Sequence, residues 1–313
     1  MFGFLLQRVL ATIPVLGIVA LIVFLILRLS PGDPAVVLAG DVATPEDIEK
    51  IRRHLGLDRP LLEQFFTWLG QLLTGDFGVS IVSQTPVLRM IGERLEPTLA
   101  LSLTTIVFAV LVAIPLGLLA AWNHGTWIDR LVMGLSVLGF SVPVFVVGYL
   151  WIWGVSMNLR WLPVQGYVPI GQNFWGFAER LILPTLTLSL VYIALIARIT
   201  RASVLEVLGE DYIRTARAKG VPNRRLLFRH ALRNAAIPVV TIIGIGMALL
   251  ISGVVITESV FNLPGLGRLT VDAILGRDYP VIQAVILVFS AVYVVINLLI
   301  DLAYAFLDPR IRY

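Results

Sequence analysis

Cysteine is absent from the 313 residues, which removes disulfides, thiolate metal ligands and sulfur nucleophiles together. Lysine is nearly absent. Lys50 and Lys219 are the only two, followed by Ile51 and Gly220, so no Gly-Lys-Ser/Thr phosphate loop can form. His54, His124 and His230 lie far apart and outside the hydrophobic runs, so the sequence offers no intramembrane histidine cluster for a metal or for hydrolysis. HExxH and GxSxG motifs are missing, and the lone Gly265-Leu-Gly267 lacks the strand-to-helix context of a dinucleotide site. Charge is scarce as well, at 14% of residues against about 25% in soluble domains.

What fills the chain is apolar: 58% of residues are hydrophobic, and they fall into six runs long enough to cross a bilayer core of about 30 Å as helix. The runs cover about 9–29, 98–122, 131–153, 183–200, 237–257 and 281–303. The chain therefore reads as an all-α polytopic membrane protein. The first run exceeds the apolar core of a cleaved signal peptide and has no small-residue cleavage site after it, so 1–29 is expected to be an N-terminal membrane helix. Residues 30–97 form a polar segment outside the bilayer, 98–304 a core of five further spans, and 305–313 a short tail.

Within 30–97, Thr44, Pro45 and Asp47 spell an N-cap, a first-turn proline and a capping-box acid. A second helix opens after Pro60 and carries Leu61, Leu62, Phe65, Phe66, Trp68, Leu69, Leu72 and Leu73 before Gly75 stops it. At roughly 20 Å it is too short to span, so it should lie on the membrane surface or pack on other helices.

The one long charged run that is also patterned to fold is 206–236. From Arg198 to Arg233 there are nine Lys or Arg against three acids, which places this loop and both termini in the cytoplasm and 30–97 outside. Because the formal net charge of +4 arises largely here, no nucleic-acid partner is inferred. The loop reads as a helix from Asp211 with Tyr212, Ala216 and Lys219 on one stripe, a stop at Gly220 and Pro222, and a second helix capped by Asn223 in which Arg225, Arg229 and Arg233 recur every four residues. The positive-inside rule explains its sign but not the helix, stop, helix pattern, which suits docking to a partner in water.

The middles of the spans carry no charge, whereas an ion-coupled secondary transporter, the alternative reading, places carboxylates or unwound polar sites there. Ser141 and Pro143 in the third span, Gly246 in the fifth and Glu258 at its end are the candidates for pathway lining or helix kinking. Asn297 and Asp301 read as a pair near a helix end.

With these residues in view, the chain resembles the permease subunits of ABC importers. The Gly220 loop is similar to the EAA loop that such subunits insert into a groove of an ATPase. Three stretches, RVLATIPVLGIVALIVFLILRLSPGDPA (8–35), LGLDRPLLEQFFTWLGQLLTGDFGVS (55–80) and FNLPGLGRLTVDAILGRDYPVIQ (261–283), together with DPRIRY (308–313), resemble the dipeptide, oligopeptide and nickel branch, and its first permease subunit in particular. In this alignment the family's Glu-Ala-Ala falls on Arg214, Thr215 and Ala216, which leaves Asp211 or Glu210 to supply an acidic contact, while the later proline is displaced to Pro238.

The resemblance implies a type I importer fold with six transmembrane helices in the bacterial inner membrane, moving peptides or a related small solute. It implies as partners a homologous second permease, two ATPases that bind ATP and Mg, and an external solute-binding protein. No cofactor and no catalysis are expected in this chain itself. Docking is expected at Glu210, Asp211, Arg214, Thr215, Ala216, Gly220, Arg225 and Arg229.

Overall fold

The computed structural model describes residues 2–29, 36, 44–54 and 58–307. Expectations for 308–313, and for most of 30–43, lie outside the described residues. Among the described residues regular structure is helical, apart from one isolated bridge between Val79 and Pro86. The helices are α1 (Phe2–Leu29), α2 (Pro45–His54), α3 (Leu61–Leu73), α4 (Val87–Trp122), α5 (Trp127–Ser141), α6 (Val144–Trp151, prolonged by a wide π turn at Ile152–Asn158) and α7 (Phe174–Leu208). They continue with α8 (Asp211–Ala218), α9 (Asn223–Arg225, a wide turn Leu226–Ala231, then Leu232–Asn234), α10 (Ala236–Val260), α11 (Leu266–Leu275) and α12 (Tyr279–Leu307).

Five of these are long and apolar enough to cross a membrane, and α5 with α6 makes a sixth crossing if the bent pair is one span. Three expected spans change shape. The third is not continuous: α5 and α6 meet at 100°, because Val142 is extended and Pro143 has no N–H to continue the ladder. The second begins at Val87, well inside the stretch read as extramembrane, and keeps both Pro97 and Pro115 within one helix. The fourth, read as 183–200, runs from Phe174 to Leu208. Hydropathy locates the part of a helix that sits in lipid, and at about 50 Å each α4 and α7 exceed the roughly 30 Å that lipid requires. Asp301 also lies inside α12 rather than at its end.

The residues group into two compact units. In the unit built from Phe2–Leu95 and Leu269–Val294, α3 lies against α1 through Phe65 and Trp68, whose ring centroids are 5.4 and 5.6 Å from that of Phe24. A tight turn between Gly78 and Val87 is pinned by the buried Asp278, which accepts from the Ser80 hydroxyl at 2.5 Å and the Ile81 N–H at 3.1 Å.

The unit containing Glu96–Arg268 is a helical bundle. Its core joins Leu101, Ala109 and Ala113 of α4, Leu183, Leu188, Tyr192 and Ile196 of α7, and Leu250 and Val254 of α10. Small residues set the closest approach. A Cβ on Gly117 would stand 2.6 Å from Thr200 Cβ and 2.7 Å from the Ala197 carbonyl oxygen, so α4 and α7 cross backbone to backbone there.

Candidate docking surface

Beyond Leu208 the chain turns at Gly209 and enters the basic element. Glu210 takes the extended N-cap conformation of α8 without a side-chain capping bond; its carbonyl accepts from Ile213 and Arg214. The end of α8 is a Schellman stop. Gly220 has φ +76, its N–H reaches the Arg217 carbonyl at 3.0 Å, and the Val221 N–H reaches that of Ala216 at 3.2 Å. Pro222 then turns the chain into α9. Asn223 is the first helical residue, not the cap expected from the sequence, because Pro222 occupies the capping position.

Two faces follow. On the covered face Ile213 and Leu226 are buried, while Tyr212 and Lys219 of the stripe read from the sequence are exposed. Ala231 and Ala235 pack with Leu118 and Ala121 of α4 and Val204 of α7, so the element is seated on the helix ends of the bundle. The Asn234 amide ties α9 to α8 through the Tyr212 hydroxyl at 2.7 Å.

The other face is water-exposed and carries Arg214, Arg217, Arg224, Arg225, Arg229 and Arg233, with Phe228 standing out among them at 55% exposure. The structure brings Asp211, Arg214 and Thr215 together on α8. Asp211 pairs with Arg214 at 3.3 Å, and the Thr215 hydroxyl turns back to the Asp211 carbonyl. An exposed i,i+3 pair contributes only a few tenths of a kcal/mol, so both groups remain free to exchange partners. Ala216 is half-buried, and Arg225 and Arg229 face water.

The remaining candidates lie elsewhere. Ser141 and Pro143 form the α5/α6 break, with the Ser141 hydroxyl on the Val137 carbonyl. Gly246 admits the ring of Tyr192, 3.3 Å from where its Cβ would be. Glu258 stands near the end of α10. It is fully buried and accepts from the Thr98 hydroxyl at 2.6 Å and the Arg268 N–H at 3.0 Å, while the Thr98 oxygen accepts from the Leu266 N–H at 2.7 Å. Glu258 and Thr98 thus satisfy first-turn donors of α11. Side chains at Gly265 or Gly267 would run into the carboxylate, which is why glycines stand there.

Two family models match this chain. One, described as a binding-protein-dependent transport system inner membrane component, matches residues 113–313, and its N-terminal counterpart matches 1–104. The chain belongs to this family. It is a multi-pass permease. The permease is 53% identical over 310 residues, 99% of each chain, to a probable peptide ABC transporter permease, y4tP, of Sinorhizobium fredii. It is 46% identical over 313 residues, all of each chain, to the glutathione transport system permease GsiC of Escherichia coli K12. A chain of the inward-facing MetNI methionine ABC transporter matches with a TM-score of 0.59 over 71% of this permease and 98% of that chain, at 18% identity; the likeness is one of fold.

Sequence reading passed over one cluster in the permease. Asp129, buried at the start of α5, receives Arg201 of α7 in a two-pronged pair, Nε to Oδ1 at 2.5 Å and Nη2 to Oδ2 at 2.7 Å. The Gly125 N–H adds a third bond at 3.0 Å, and His124 Nδ1 sits 3.2 Å from the same carboxylate. Only a first-turn acid was visible in advance, since the partner lies 72 residues on. Arg201→Leu strands a buried carboxylate, so a loss of about 3 kcal/mol is expected; Arg201→Lys, keeping charge but not the fork, should fall between. Thermal unfolding of the purified variants checks the order.

Proposed function

We propose that this permease imports peptides or a peptide-like solute, and that separate ATPases drive it through 206–236. The solute class is supported by the two relatives, a probable peptide permease and a glutathione permease. The observation that carries the coupling role is the two-faced element: one side is seated on α4 and α7, and the other offers Phe228 and six arginines to water. An exposed aromatic in an arginine-rich segment is the composition of a binding hot spot.

In this reading the loop and both termini are cytoplasmic and 30–97 is external. A homologous permease completes the pathway, two ATPases bind ATP and Mg, and an external solute-binding protein delivers the solute. ATP-driven closure of the ATPases moves α8 and α9 as a body and tilts the bundle between its two access states.

The test is a pull-down of the ATPases by Arg225→Glu with Arg229→Glu, across a salt series. Retention should drop about tenfold at low ionic strength, and the gap to wild type should narrow as the screening length falls towards about 3 Å at 1 M salt. Unchanged retention with reduced membrane insertion would assign these arginines to lipid headgroups instead.

A further inference from the structure

Helix α3 has an apolar face that nothing in its compact unit covers. At 100° per residue, Leu62, Phe66, Leu69 and Leu73 fall within an arc of about 60°. Leu62 is 71% exposed, Phe66 60% and Leu73 81%, while Leu69, at the edge of the arc towards Phe65, is half-buried. Phe65 and Trp68 occupy the adjoining arc, against Phe24. Glu63, Thr67 and Gln71 take the far side, where Glu63 pairs with Arg59.

The level of this helix along α1 identifies what covers the face. The uncharged apolar run of α1 ends at Arg28, and Phe24 lies one helical turn before it, about 6 Å along the axis. A helix seated on Phe24 therefore lies where hydrocarbon gives way to headgroups. Its thirteen residues reach about 20 Å, too short to span. Along α1 the side chains Ile13, Ile18, Leu21 and Ile22 are exposed, as those of a lipid-facing span must be. One arc on a span, one apolar and open, and one polar is the arrangement of a helix lying in the plane of the interface, with Trp68 at the depth aromatic rings favour.

We propose that α3 is an interfacial helix, with Leu62, Phe66, Leu69 and Leu73 in the acyl region of the leaflet at the C-terminal end of α1 and Glu63, Thr67 and Gln71 in water. The occupant of the face is lipid, not protein.

The absence of cysteine allows a direct test in the assembled transporter in proteoliposomes. Single spin labels are placed through Leu62→Cys, Phe66→Cys, Glu63→Cys and Thr67→Cys, all exposed positions. Collision with dissolved oxygen and with a water-soluble nickel chelate is then measured. Labels at 62 and 66 should favour oxygen over the chelate severalfold relative to labels at 63 and 67, at a depth of about 5–10 Å below the headgroups. Equal chelate access at all four positions would overturn the proposal by placing the face in water. Protection of 62 and 66 from both reagents would overturn it equally, by showing another subunit seated there.

Discussion

Glu258→Ala is expected to be among the most destabilising single substitutions in this chain. Its carboxylate is fully buried and accepts from a threonine hydroxyl and a backbone N–H. Truncation strands those donors at about 1–3 kcal/mol each and leaves an opening lined by Gly265 and Gly267, which have no side chains to collapse into it. The sum is about 3 kcal/mol or more, with α11 losing the anion at its N-terminus. Heating the purified protein and following the loss of monodisperse material should show a clear downward shift. Glu258→Gln keeps one oxygen for Thr98 but turns an NH2 group towards the Arg268 N–H, so it should fall between. If alanine melts with wild type, the carboxylate does not hold this corner together.

Gly220→Val is expected to cut transport by up to about tenfold while leaving the protein in the membrane. The residue sits at φ +76 with no atom near the place of a Cβ, so the effect is one of backbone alone. A left-handed conformation costs an ordinary residue about 1–2 kcal/mol, and a β-branched one more. That is enough to shift α9 out of its seated arrangement by roughly tenfold in population. Asparagine tolerates this conformation, so Gly220→Asn should retain most activity. Uptake and solute-stimulated ATP hydrolysis in proteoliposomes, measured for all three proteins at equal insertion, decide the matter. Equal uptake by the valine and glycine forms would show that the stop is dispensable.

Local signals carried over well from sequence to structure. Gly220 followed by Pro222 announced a helix stop, and hydropathy marked the apolar part of each long helix though not its ends, because both depend on near neighbours. Register was less legible. The stripe of Tyr212, Ala216 and Lys219 did not tell which side of α8 is covered, since with so few apolar residues several phases satisfy the periodicity, and the buried residue is Ile213. Pro143 signalled a kink, yet the 100° break depends on Val142 becoming extended, whereas Pro97 and Pro115 sit within an unbroken α4. The same residue type gives different outcomes because neighbouring helices decide whether freed carbonyls find partners. The pairs Asp129 with Arg201 and Thr98 with Glu258 join positions 72 and 160 residues apart, and no local pattern encodes them.

The close crossing at Gly117 also has a mechanical meaning. Thr200, which meets Gly117, lies about 12 Å along α7 from its end at Leu208 and about 39 Å from its start at Phe174, at 1.5 Å per residue. A rigid α7 pivoting on that crossing is a lever with arms in a ratio of roughly one to three. Each ångström imposed beside the basic element becomes about 3 Å, in the opposite sense, at the far mouth of the bundle. Opposed motion at the two ends is what access alternating between the faces of a membrane requires, and the short arm is the one that carries the arginines.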